Sequence, residues 1–80
     1  MALGNILRAA REQKGLTPNQ VADATHMMVQ IVEELEREDF HRFAAAIYGR
    51  GFVKLYAEFL GIDPAPLVSE FSELYAGTRR

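Results

Sequence analysis

The sequence predicts an all-α domain of about five helices. Three observations carry that expectation. Apolar residues recur at helical spacing along the chain, with no long period-two alternation. Two segments, Thr17-Pro18 and Asp63-Pro64, combine a capping side chain with a first-turn proline. Two glycines, Gly15 and Gly61, follow apolar stripes as stops. Eighty residues, 49% hydrophobic and 25% charged, suffice for one core and not two. That balance belongs to globular rather than disordered chains.

The elements follow in order. Leu3, Ile6, Leu7 and Ala10 form the stripe of a first helix, with Arg8, Arg11, Glu12 and Lys14 on its solvated side. Thr17 caps a second helix, Pro18 fits its first position and Gln20 can close a capping box. Val21, Ala22 and Ala24 continue it, the two alanines being small enough to let the next helix come close. Thr25-His26-Met27-Met28 reads as a tight turn in which both methionines pack. A third helix covers Val29 to Arg37, with Val32 and Leu35 facing inward, Glu36-Arg37-Glu38-Asp39 solvated, and Phe40 and Phe43 returning to the core. The fourth and longest pattern runs from Ala44 to Leu60. Beyond Asp63-Pro64, the apolar residues Leu67, Val68, Phe71, Leu74 and Tyr75 repeat at i, i+1, i+4, i+7 and i+8, an amphipathic fifth helix. The domain is expected over residues 3–76, with 77–80 a linker or tail.

Composition excludes several kinds of chemistry. With no cysteine there is no disulfide framework, no thiolate zinc site and no thiol nucleophile. His26 and His41 lie apart without ligand partners, and Ser69 and Ser72 have no activating histidine nearby in sequence. No enzyme, cofactor, metal or small-molecule substrate is therefore expected. Nothing is apolar for long enough to span a membrane, and the N-terminus lacks the features of a signal peptide. Gly49-Arg50-Gly51 follows no strand and is no phosphate loop; its glycines are expected to let a neighbouring helix approach, at about 1 kcal/mol of helix propensity each.

Two short helices joined by a brief turn and preceded by a helix that packs on both are the layout of a helix-turn-helix. Caps and stripes alone fit an ordinary helical bundle equally well. The run Leu7-Arg8-Ala9-Ala10-Arg11-Glu12-Gln13-Lys14-Gly15-Leu16-Thr17, with Val21-Ala22 and Leu35-Glu36, resembles the lambda-repressor-like helix-turn-helix family. The second half is narrower. Tyr48-Gly49-Arg50-Gly51-Phe52-Val53-Lys54-Leu55-Tyr56-Ala57-Glu58-Phe59-Leu60-Gly61-Ile62-Asp63-Pro64 resembles the N-terminal cytoplasmic domain of the RodZ family, bacterial cell-shape proteins that link the membrane to the actin homologue MreB. The resemblance extends from about Leu3 to Tyr75. It implies a cytoplasmic domain at the inner face of the membrane, with the span lying beyond Arg80. Its Ala44–Ala46 run departs from relatives that often carry proline there, which leaves the entry to the fourth helix open.

Two partners are then in competition. In a helix-turn-helix the third helix enters the major groove, and Gln20, Val29, Gln30 and Glu33 are the DNA-facing candidates, with Met28 and Glu34 beside them. Only Gln30 has donors suited to reading a base from that helix. Glu33, Glu34, Glu36, Glu38 and Asp39 set five carboxylates against Arg37 alone, a charge that phosphate repels; this argues against a nucleic-acid partner. The fourth helix offers a protein partner instead. Tyr48, Phe52, Leu55 and Phe59 share one line and Gly49, Val53, Tyr56 and Leu60 another, an apolar arc too wide for a small domain to cover. One edge is expected to pack inward, with Tyr56 in the core, and the other to stay open. The RodZ resemblance implies that Tyr48 and Phe52 contact an MreB-like actin, with Arg50 and Lys54 pairing with acidic groups of that partner. The bland alternative is that both aromatics are core residues under the fifth helix.

Overall fold

A computed structural model describes residues 2–78. It contains α1 (Leu3–Gln13), α2 (Pro18–Thr25), α3 (Val29–Arg37), α4 (Ala46–Leu60) and α5 (Pro64–Thr78), and no strand among the described residues. The expected all-α architecture is the observed one. α1 and α2 both pack on α3, and α4 and α5 form the most extensive pair, α4 lying across the first three helices and α5 reaching α1.

The local sequence sets the boundaries. α1 stops because Gly15 takes the left-handed conformation (φ +69°), which lets the Leu16 and Gly15 amides turn back on the carbonyls of Arg11 and Glu12 at 3.2 and 2.9 Å. α2 opens on the expected capping box. The Gln20 amide donates to the Thr17 hydroxyl at 3.1 Å, and the Thr17 amide to the Gln20 side-chain oxygen at 2.8 Å. His26, at φ 60°, closes α2 and starts the turn. Asp63 accepts the Ala65 amide at 3.1 Å at the head of α5.

Several sequence expectations need correction. The entry to α4, which the sequence leaves open, lies at Ala46, with Ala45 extended and no side chain capping it. The cause is Phe43. Its ring is buried, its carbonyl accepts the Tyr75 hydroxyl at 2.8 Å, and the loop must stay open to deliver it. Met27 packs in the turn but Met28 does not: it is 58% exposed. In α2 Ala22 is buried while Ala24 faces solvent, and Thr25 takes the inner position by donating its hydroxyl to the Val21 carbonyl at 2.7 Å. α5 runs through Gly77 to Thr78, and residues 79 and 80 of the expected 77–80 tail lie outside the described residues.

The glycines of α4 divide. A Cβ on Gly49 would stand 1.9 Å from Cζ of Phe71, so this glycine is what lets α5 lie against α4. Nothing lies within 4 Å of a Cβ on Gly51, which faces solvent, so the close-approach expectation holds for Gly49 and is wrong for Gly51. Phe71 is fully buried in an aromatic cluster, with ring centroids 4.7 Å from Phe40, 5.9 Å from Phe43 and 5.7 Å from Tyr75.

Candidate functional site on the outer face of α4

The inner face of α4 is fixed first. Gly49, Val53, Tyr56 and Leu60, the second of the two sequence lines, are buried, and Ala57 is buried beside them. Tyr56 is fully buried and donates its hydroxyl to Glu36 of α3 at 2.5 Å. Glu36 in turn receives two hydrogen bonds from the Arg11 guanidinium of α1, at 2.7 and 2.9 Å, and a long one from Arg8 at 3.4 Å. Arg11 spends its remaining reach on the Leu16 carbonyl at 2.8 Å. One carboxylate thus ties α1, α3 and α4 together.

This network overturns the expectation that Arg11 and Glu36 are solvated: both are buried. The missed signal lies in helical phase. Arg11 follows Leu7 by four residues and Glu36 follows Val32 by four, so each stands in line with a fully buried apolar side chain. Opposite charges in two such positions on adjoining helices make a buried pair. Burial drives the Glu36 carboxyl up, but the hydrogen bonds from Arg11 and Tyr56 outweigh it and hold the group below its ordinary 4.5. Burial and the same carboxylate push the Tyr56 phenol far above its ordinary 10.

The signs follow from linkage. A depressed carboxyl contributes stability that is present at neutral pH and lost as pH falls through the folded value. A raised phenol contributes stability that is full below its unfolded value and lost as pH rises past it. Urea titrations across pH are therefore expected to show stability falling at both ends. Glu36→Gln should flatten the slope below about pH 5, and Tyr56→Phe the slope above about pH 10.

Three of the other four carboxylates of the expected acidic patch also have partners. Arg42 donates to Glu34 at 2.8 Å, Glu38 accepts the Gly4 amide at 2.9 Å, and Asp39 pairs with His41 at 2.8 Å. Glu33 remains exposed. A hollow of about 330 Å³ beside α3 is lined by Arg8, Arg11, Glu12, Pro18, Glu33, Glu36 and Arg37, a balanced set of charges that selects neither phosphate nor a cation. Among the described residues no group of acidic and histidine side chains could hold a metal ion. Of the DNA-facing candidates, Gln20, Gln30 and Glu33 are exposed and Val29 is half-buried. Beside them the exposed Met28 offers a surface with few base-reading donors.

The outer line of α4 stays open. Tyr48 is 61% exposed, Leu55 40% and Phe59 38%, with Ile47 at 64% flanking the start of the helix. Phe52 is the hinge between inside and outside: half-buried, its ring centroid 5.8 Å from that of Phe43. The choice between open anchor and core aromatic therefore divides, Tyr48 being open and Phe52 partly covered. Arg50 and Lys54 do not flank this line. At about 100° per residue they project roughly 160° and 120° away from Tyr48. Arg50 is half-buried, Lys54 is exposed, and neither has an ion pair among the described residues. Helical phase therefore sets these two cations on the side of α4 away from the aromatic line.

No described helix is long and apolar enough to cross a membrane. A helix-turn-helix domain family matches residues 6–67. A cytoskeleton protein RodZ from Streptococcus pneumoniae (strain ATCC BAA-255 / R6) is 31% identical over 61 residues, which are 76% of this chain and 22% of that protein. The chain thus spans about a fifth of that relative's length. No solved structure matches the chain significantly.

Proposed function

The chain belongs to the helix-turn-helix domain family in its RodZ-like form, and from that premise we propose that it is the protein-binding module of a cell-shape protein, docking on an MreB-type bacterial actin through the outer face of α4. The observation that supports this most is the open row begun by Tyr48. A small domain that has closed its core around Tyr56 and Phe71 leaves a continuous aromatic and aliphatic line in water, and such lines mark binding surfaces. The role is binding, with no chemical step. In the cell the domain would act at the cytoplasmic face of a membrane, held there by a span outside these residues.

Tyr48 and Phe52 are the residues proposed to anchor the partner. Arg50 and Lys54, the other two candidates, point elsewhere on α4 and are left to longer-range attraction. The test is the double substitution Tyr48→Ala, Phe52→Ala, with Tyr48→Ala alone as the variant least dependent on folding. Binding to purified MreB is expected to weaken at least tenfold, the scale of a hot-spot anchor. Undiminished binding by a folded double variant overturns the assignment.

The helix-turn-helix layout itself favours a second reading, a transcriptional regulator that uses α3 with Gln20, Val29, Gln30 and Glu33. Duplex DNA titrated at low salt distinguishes the two. Salt-sensitive micromolar binding that is lost on Gln30→Ala supports the regulator and argues against the docking module.

A further inference from the structure

Resting on that docking reading, we propose that the binding strip runs the whole length of α4, with Leu55 and Phe59 as its second half, so that the partner must offer an apolar cleft about three helical turns long. Tyr48, Phe52, Leu55 and Phe59 are spaced by four, three and four residues. That places all four within an arc of about 60° and over roughly 16 Å of helix. The resemblance singles out the first two alone. Yet Leu55 and Phe59 keep 40% and 38% of their surface in water, on a helix whose neighbouring line is sealed.

The occupant is read from what surrounds the strip. Among the described residues nothing lies within 4 Å of a Cβ on Gly51, which lies beside the strip, so a partner's backbone can come close there. At exposures of 61%, 40% and 38%, Tyr48, Leu55 and Phe59 leave on the order of 300 Å² of the strip in water, in the range of functional patches on monomers. Two copies meeting through this strip would bury on the order of 600 Å² in total, no more than a lattice contact, so a second copy is not the occupant. A larger partner with a concave apolar surface covers the strip and adds contact at its borders. Glu58 follows Leu55 by three residues, one turn along the helix, exposed and without an ion pair among the described residues. The lip of the cleft on that side is therefore expected to carry a lysine or arginine.

Binding of the folded chain to purified MreB-type actin is measured by isothermal calorimetry for Tyr48→Ala, Leu55→Ala, Phe59→Ala and Arg50→Ala. Circular dichroism melting confirms that each variant folds. Leu55→Ala and Phe59→Ala are expected to weaken binding about tenfold, as Tyr48→Ala does, and Arg50→Ala less than about threefold. Loss with Tyr48→Ala but full affinity for Leu55→Ala and Phe59→Ala ends the strip at the aromatic pair, overturning this inference and leaving the docking reading in place. Full affinity in all four variants overturns both. Concentration-dependent dimers in sedimentation that Phe59→Ala abolishes assign the strip to a second copy and overturn the inference as well.

Discussion

Arg11→Ala is expected to lower the unfolding free energy by about 3 kcal/mol, because it leaves the Glu36 carboxylate buried without its main partner. Glu36 would keep the Tyr56 hydroxyl and the 3.4 Å contact to Arg8. Neither replaces two guanidinium bonds at 2.7 and 2.9 Å. Arg8 is half in water, so its help is screened. In a domain of this size the loss corresponds to a fall in Tm of roughly 12–24 °C, and a urea midpoint shift at constant slope measures it. The network is also replaceable as a unit. Arg11→Met with Glu36→Leu and Tyr56→Phe removes the three buried members, leaves Arg8 half in water, and should recover most of the lost stability, since an apolar substitute carries no desolvation penalty. A single variant as stable as the parent would mean that the carboxylate reaches water.

The second large effect is a contrast within α4. Gly49→Ala is expected to destabilise by about 2 kcal/mol or more, and Gly51→Ala to stabilise by about 0.5–1 kcal/mol. Both gain the same helix propensity. The difference is Phe71, whose ring occupies the place where the Gly49 methyl would go and which is held by Phe40, Phe43 and Tyr75. A close-packed ring cannot yield that much without moving α5. Thermal melts of the two variants check the sign directly. If they shift in the same direction, the approach of α5 to α4 is looser than described.

Much of the fold is legible in the sequence because its signals are local. Thr17 with Gln20, Gly15, and Asp63 with Pro64 act within a few residues of themselves, and each does in the structure what its chemistry demands. The stripes of α3 and α5 likewise fix their own phase. Two features are not local. Phe43 holds back the start of α4 through contacts with α5, which no residue near Ala44 announces. Arg11 and Glu36 look solvated because charged residues usually are, and only their register with Leu7 and Val32 marks them as core.

With Glu34 paired to Arg42 and Glu36 to Arg11, α3 is less acidic toward a partner than its composition suggests. Electrostatic repulsion therefore carries less of the case against DNA than the sequence implied. The scarcity of base-reading donors around Met28 and Gln30 carries more. The open face of α4 was legible as an arc too wide to bury, and the structure divides that arc into a sealed line and a line in water.

Docking through α4 is read out by the backbone amide shifts of the labelled chain as purified MreB-type actin is added. Perturbations are expected to concentrate at Tyr48, Phe52, Leu55 and Phe59, with the amides of Met28 to Glu33 unchanged. Perturbations centred on Met28 to Glu33, or an unchanged spectrum at saturating partner, would contradict it.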